Sequence, residues 1–128
     1  MAIPFSPSGK TNPNIVSAPM RYYPRASNSG EIDLDELAEQ VSFSCTATPA
    51  DCYAVILSLV DVVSSSLENG KIVRLGHLGS FQISIKGVGS DTPEAVKAQN
   101  VKSASILFRP GRKLKKMLSQ LVFVPKKK

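Results

Sequence analysis

The spacing of apolar residues changes at Asn69-Gly70, and this change constrains the fold more than any other feature of the chain. From Ile32 to Leu67, apolar residues recur at intervals of three and four positions, which is typical of helices. Beyond Gly70, apolar and polar residues alternate, as they do in half-buried strands. A chain that passes once from helices to strands predicts an α+β fold.

The helical half predicts a hairpin of two helices that forms the base of the fold. The second helix begins at Thr48-Pro49-Ala50-Asp51, which provides an N-cap, a proline at the first helical position and a capping-box acid. It ends at Asn69-Gly70, and residues 42–47 link it to the first helix. The apolar stripe of the first helix consists of Leu34, Leu37, Ala38 and Val41. The stripe of the second consists of Cys52, Val55, Ile56, Leu59, Val63 and Leu67.

The other half predicts a three-stranded antiparallel sheet with a β-arm, followed by a short helix. The strands are residues 71–75, 80–86 and 101–109, and the glycines at 76 and 79 make the first turn. Alternation in the second strand places Phe81, Ile83 and Ile85 on one face and Gln82, Ser84 and Lys86 on the other. Residues 87–93 are rich in strand breakers, and residues 112–121 form a basic amphipathic helix.

Composition predicts a tail at each end of this domain. Five of the nine prolines lie within the first 24 residues, so we expect residues 1–30 to be an extended tail without a core. Residues 31–121 form the domain, and residues 122–128 form a basic tail whose first four residues can add an edge strand. The patch Met20–Arg25 can either dock on the domain or stack its tyrosine rings on bases, and docking is favoured.

Charge is strongly segregated along the chain, whose net charge is +6. Residues 1–30 hold three bases and no acid, residues 31–68 hold eight acids and no base, and residues 69–128 hold thirteen bases and two acids. A concentrated positive region indicates a polyanionic partner, of which nucleic acid is the commonest.

Several function classes are disfavoured. The N-terminus lacks the basic start and apolar core of a secretory signal, and no 18-residue apolar run predicts a membrane span. Cys45 and Cys52 are too few for a disulfide framework, and we expect both to be buried free thiols. The single histidine, His77, is expected at the surface of a turn, without metal or cofactor. The chain therefore reads as a cytoplasmic non-enzyme with no small-molecule substrate.

The motifs of the second half resemble those of the bacterial histone-like HU/IHF family. The resemblance rests on Asn69-Gly70-Lys71, on Gly79-Ser80-Phe81 and above all on Phe108-Arg109-Pro110-Gly111-Arg112-Lys113-Leu114-Lys115. It covers roughly residues 32–121. Tyr22-Tyr23-Pro24 and the turn Leu75-Gly76-His77-Leu78-Gly79 are similar to an HU-related branch with N-terminal extensions, described mainly from Bacteroides-type bacteria.

This resemblance implies an intertwined homodimer whose helices form a base, whose sheets form a saddle and whose two arms reach around double-stranded DNA. The arm of this family ends in a proline that wedges between base pairs, and Pro93 stands at about that place. Asp91 and Glu94 flank it where arginines would meet phosphate, so we expect weak bending at most.

The candidate DNA-binding residues are all basic. The first group surrounds the start of the last helix, where free N–H groups also favour phosphate: Arg109, Arg112, Lys113, Lys115 and Lys116. The second group depends on strand pairing: Lys71, Arg74, Lys86, Lys97 and Lys102.

The leading hypothesis is a nucleoid-associated protein that contacts duplex DNA through phosphates, with low sequence specificity and a role in DNA condensation. The alternative is an HU-like interaction module with reduced or lost bending, which recruits a protein through its acidic hairpin or tyrosine patch. A third hypothesis, an RNA-binding protein, uses the same charge.

Overall fold

The computed structural model describes residues 2–15 and 17–127, and the chain divides into two compact units. The larger unit is Leu34–Met117, and the smaller unit combines Met1–Asp33 with Leu118–Lys128. The domain and tail boundaries at residues 31 and 121 stay a prediction.

The larger unit begins with the helical hairpin, α1 (Leu34–Ser42) and α2 (Pro49–Glu68). The capping box is confirmed, because the Asp51 N–H donates to Thr48 Oγ1 at 3.1 Å and the Thr48 N–H donates to Asp51 Oδ2 at 3.3 Å. The predicted end is confirmed as well: Asn69 caps α2, and Gly70 has a φ of 79°.

Most apolar side chains of α2 remain exposed. Among the described residues, the buried apolar side chains are Ala38, Cys52 and Leu67. The predicted stripe is therefore divided: Cys52 and Leu67 are buried, whereas Val55 and Leu59 are 66% and 42% exposed. By length and composition alone, α2 is long and apolar enough to cross a membrane, contrary to the expectation that no segment of the chain is.

An antiparallel sheet follows, with the order β3 (Val73–Arg74), β4 (Gly79–Gly87) and β5 (Val101–Pro110). The predicted sheet is confirmed, but β3 is shorter than residues 71–75. The strand is short because backbone groups on either side of it have other partners. The Lys71 N–H donates to the Ser66 carbonyl of α2, and the Leu75 N–H donates to the Gly79 carbonyl of the turn. Helix α3 (Arg112–Ser119) ends two residues before the predicted 121.

The smaller unit contains a second sheet, which the sequence did not predict. Its order is β2 (Arg21–Ala26), β1 (Ile3–Lys10) and β6 (Phe123–Pro125), with β2 antiparallel and β6 parallel to β1. Residues 3–10 and 21–26, which were expected to belong to an extended tail without a core, therefore lie in paired strands. The edge strand expected in residues 122–125 is confirmed.

Pro7 and Pro24 are compatible with pairing because of where they fall in the ladder, whereas Pro4 lies at a hydrogen-bonded position and can only accept there. The Ser27 N–H donates to the Pro4 carbonyl at 2.7 Å, which makes this a hydrogen-bonded pair. Since such pairs alternate in antiparallel sheets, the pair Pro7–Pro24 occupies a non-hydrogen-bonded position. Its two ring nitrogens face away from the β1–β2 ladder, so no bond is lost there.

Candidate nucleic-acid interface

The sheet β3–β4–β5 separates polar from apolar side chains between its faces. Residues that pair directly across strands share a face, so the register defines both. The apolar face carries Val73, Phe81, Ile83, Ile85, Ala104, Ile106 and Phe108. The polar face carries Arg74, Ser80, Gln82, Ser84, Lys86, Ser103, Ser105, Leu107 and Arg109. Only Leu107 breaks the polar pattern of this second face.

A row of three residues crosses the polar face: Arg74, Ser80 and Arg109. Ser80 pairs with Arg74 on β3 and with Arg109 on β5, so the two arginines stand on either side of one small hydroxyl group. Neighbouring strands lie about 4.8 Å apart, which places the arginine backbones roughly 10 Å from each other. Both arginines are exposed, and the short serine leaves space between their side chains.

The glycine turn brings the start of α3 to this row. Gly76 and Gly79 have φ values of 58° and 143°, which residues with a side chain rarely adopt. The Gly111 N–H donates to the Leu78 carbonyl at 3.0 Å, and a Cβ at Gly111 would lie 2.5 Å from the carbonyl oxygens of Gly76 and His77. Only glycine at 111 permits this approach, which fixes the first turn of α3 beside the sheet.

The row and the helix start enclose a depression of about 420 Å³. Three cationic side chains line it, from Arg74, Arg109 and Lys115, together with the polar groups of Ser80 and Gln82. No acidic side chain lines it among the described residues. Three cations and two neutral hydrogen-bonding groups on one concave surface suit an anion with several oxygens, such as a phosphate group.

The other candidate residues lie outside this depression. Lys86 shares the polar face, and Arg112, Lys113 and Lys116 are exposed on α3. Lys71 precedes β3, and Lys97 belongs to the segment between β4 and β5. Lys102 is the residue that the bulge between Lys86 and Gly87 leaves without a cross-strand partner. Ser80 and Gln82 were not predicted as site residues. Their alternation with Phe81 and Ile83 could have placed them on the polar face of the sheet.

The arm, residues 88–100, is closed at its base by Asn100, a residue that the sequence patterns did not single out. The Asn100 carbonyl accepts from the Val88 N–H at 2.9 Å, and its side-chain oxygen accepts from the Lys97 N–H at 2.8 Å. Its amide group donates to the Val88 carbonyl and to Ser90 Oγ, at 3.3 and 3.2 Å. The exposed Pro93 begins a 3₁₀ turn, Pro93–Ala95.

The two cysteines do not share the predicted environment. Cys52 is buried as predicted, but Cys45 is exposed because it lies in the link after α1. Their sulfur atoms are 3.8 Å apart. Desolvation raises the pKa of the Cys52 thiol, and the hydrogen bond and charge of Cys45 add to the effect. Among residues 2–15 and 17–127, no group of three or more His, Cys, Asp or Glu side chains could hold a metal ion.

The sequence model of the HU-HIG family, described as an HU domain fused to a wHTH, Ig or glycine-rich motif, matches residues 1–125. The chain belongs to this family. The predicted HU relationship is thereby confirmed, and the match includes the N-terminal extension. No curated protein matches the HU-HIG chain.

Two solved structures share the fold. One is described as a bacterial DNA binding protein from Bacteroides vulgatus, with a TM-score of 0.67 and 15% identity over 97% of this HU-HIG chain. The match spans 47% of that protein, so this chain covers about half of its length. The other is Anabaena HU crystallised with DNA, with a TM-score of 0.53 and 18% identity over 70% of this chain and 99% of the HU chain.

Proposed function

We propose that this chain binds duplex DNA through its backbone phosphates, with little dependence on base sequence. The observation that carries the proposal is the depression in which Arg74, Arg109 and Lys115 surround Ser80. Contacts to phosphate position a protein on DNA without reading its sequence. Anabaena HU was crystallised with DNA and shares the fold, which supports the same ligand for this chain.

Helix α3 extends the basic surface beyond the depression. Arg112 and Lys113 lie in its first turn, and Lys116 follows one turn later. The start of a helix presents unpaired N–H groups and a positive dipole end, which favour phosphate. Lys86, Lys97 and Lys102 would contribute further contacts along the arm, and Lys71 would do so before β3.

The DNA-binding form is proposed to be an intertwined homodimer. The chain alone exposes 11094 Å², whereas a compact monomer of 13.7 kDa exposes about 6,600 Å². Much of the exposed apolar surface lies on α2 and on the apolar face of the sheet β3–β4–β5, where Ile85 and Ile106 are 60% and 61% exposed. A second copy would cover such surfaces symmetrically.

The proposed cellular role is that of a cytoplasmic, nucleoid-associated protein that condenses DNA and catalyses no reaction. Phosphate contacts without sequence reading would distribute the protein over the nucleoid. The candidate site supports this role because it consists of cations and neutral hydrogen-bonding groups on an open sheet surface. No cofactor or small-molecule substrate is part of the proposal.

The alternative is an HU-like module that recruits a protein while bending DNA weakly or not at all. The acidic neighbours of Pro93 favour it, because Asp91 and Glu94 would repel phosphate at the tip of the arm. Loss of bending does not require loss of DNA binding, since the depression lies on the body of the sheet. Binding and bending should therefore be measured separately.

The decisive experiment measures the affinity for a labelled duplex of about 30 base pairs across a range of salt concentrations. Log affinity should fall with log salt at a slope of about −0.9 for each neutralised phosphate. The double variant Arg74→Ala/Arg109→Ala should flatten this slope for every duplex sequence tested. The matched control is Lys126→Ala/Lys127→Ala, which removes the same charge outside the depression and should alter the slope less.

Equal slopes for the two double variants would exclude the depression as the DNA contact. A structured RNA that displaces the duplex at equal concentration would favour the RNA-binding hypothesis.

Light scattering of the same samples gives the mass, and a monomer at micromolar concentration would contradict the homodimer.

A further inference from the structure

The sheet β2–β1–β6 has a basic face that the proposed duplex site does not use. Along β2, residues Arg21, Tyr23 and Arg25 alternate with Tyr22 and Pro24, so they occupy the opposite face from these two. The register with β1 adds Lys10, Ser8 and Ser6 to the same face. We call the surface formed by Ser6, Ser8, Lys10, Arg21, Tyr23 and Arg25 the N-terminal basic face.

Two cations of this face lie directly opposite each other. Lys10 and Arg21 pair directly across the two strands, and like charges in such a position destabilise a sheet. Residues 1–30 contain no acid that could compensate locally. An anion bound beside Lys10 and Arg21 would offset this repulsion, so the pair favours a negatively charged ligand.

The same end of the sheet forms a depression of about 610 Å³. Lys10 and Arg21 line it together with Tyr23 and Asn12. This volume lies within the range of ligand pockets, which is roughly 300–1,000 Å³. The side chain of Tyr23 is 48% exposed, so its ring is accessible to a ligand.

An aromatic ring between cations on an open sheet face matches one chemical class of ligand. Unpaired nucleotides present a flat base that stacks on aromatic rings and a phosphate that attracts lysine and arginine. Bases within a duplex are already stacked on each other and cannot reach Tyr23. A simple inorganic anion would leave the ring unused.

We propose that the N-terminal basic face binds single-stranded nucleic acid, with a base stacked on Tyr23 and adjacent phosphates held by Lys10, Arg21 and Arg25. This site shares no residue with the duplex site and does not depend on it. No base or sugar preference follows, because stacking on a ring accommodates every base.

The affinity test uses the full chain and fluorescein-labelled dT12 and rU12, measured by anisotropy at fixed salt. Tyr23→Ala should weaken the binding of both strands about tenfold, since base stacking is lost. Tyr23→Phe keeps the ring and should restore affinity to within about twofold of the unmodified chain. The matched control is Tyr22→Ala, which removes the same ring from the opposite face of β2 and should have little effect.

A spectroscopic test locates the contact directly, because the chain has three tyrosines and no tryptophan. In the variant Tyr22→Phe/Tyr53→Phe, Tyr23 is the only tyrosine, and dT12 should quench its fluorescence strongly. In Tyr23→Phe/Tyr53→Phe, only Tyr22 remains, and quenching should be weak.

Equal quenching of the two reporters, or equal losses for Tyr22→Ala and Tyr23→Ala, would overturn the proposal. So would a tenfold loss of duplex affinity in Tyr23→Ala, because the face would then be a duplex surface. These outcomes leave the duplex proposal to its own test, which uses Arg74 and Arg109.

Discussion

The two sheets of this protein have the same number of strands but opposite sequence signals. Strand β4 alternates apolar with polar residues and follows a glycine turn, so its sequence predicts a strand directly. Strands β1 and β2 are interrupted by Pro4, Pro7 and Pro24, and their sequence predicts a tail. Pro7 and Pro24 are tolerated because they face each other at a non-hydrogen-bonded position, and composition does not contain that position.

The two sheets also tolerate added side chains differently. At Gly79, a Cβ would meet the Arg109 carbonyl oxygen and the Phe108 ring, and the φ of 143° is unfavourable for any side chain. At Gly9, a Cβ would meet Met20 Sδ at 2.7 Å, which is near the end of a flexible side chain. The backbone around Gly79 thus excludes a side chain, whereas Gly9 faces a group that can move.

The largest effect is therefore expected for Gly79→Ala. We expect it to lower the free energy of unfolding by about 3 kcal/mol, because backbone strain and a backbone clash act together. Gly9→Ala should cost about 1 kcal/mol or less, since Met20 can move. Urea unfolding at a fixed protein concentration measures both.

The control for these variants is Gly89→Ala, where no atom lies within 4 Å of the added Cβ. Its unfolding free energy should change by less than about 1 kcal/mol. Equal losses of unfolding free energy in Gly79→Ala and Gly9→Ala would show that the two sheets tolerate an added side chain equally.

A smaller effect is expected from moving a proline by one position in β1. Ser8 pairs with Tyr23 at a hydrogen-bonded position, so Ser8→Pro removes a ladder bond and should cost about 2 kcal/mol of local stability. Pro7→Ser, at the neighbouring non-hydrogen-bonded position, should cost about 1 kcal/mol or less. Hydrogen exchange of the Ser6 and Arg25 amides would report the local opening free energy. Similar values for the two variants would contradict the assignment of the ladder positions.

Much of the larger unit could be predicted because its signals are local. The capping box of Thr48 and Asp51 and the end of α2 at Gly70 each depend on a few neighbouring residues. The family relationship rested on the run from Phe108 to Lys115, which is also continuous in sequence. Such features need no knowledge of distant pairing.

The parts that could not be predicted depend on residues far apart in the chain. The pairing of Ile3 with Phe123 joins the two ends, and no local pattern in either strand specifies the partner. The row that joins Arg74 to Arg109 through Ser80 likewise requires the register of three strands. Both arginines were candidates from charge alone, but their common position around Ser80 was not deducible from composition.

The smallest effect is expected at the tip of the arm, which joins β4 to β5. Inserting a side chain between base pairs costs a few kcal/mol per unstacked step, which only additional contacts can offset. Pro93 lies between Asp91 and Glu94, and these carboxylates would repel the phosphates that an inserted proline must approach.

We therefore expect Pro93→Ala to leave DNA bending unchanged, because the proline contributes little bending to lose. Energy transfer between the labelled ends of a duplex of about 30 base pairs measures this, since DNA that short bends little by itself. Asp91→Lys/Glu94→Lys supplies the missing cations and should increase the transfer, provided that Pro93 is present. A strong transfer signal from the unmodified chain that Pro93→Ala abolishes would show that the proline inserts despite its acidic neighbours.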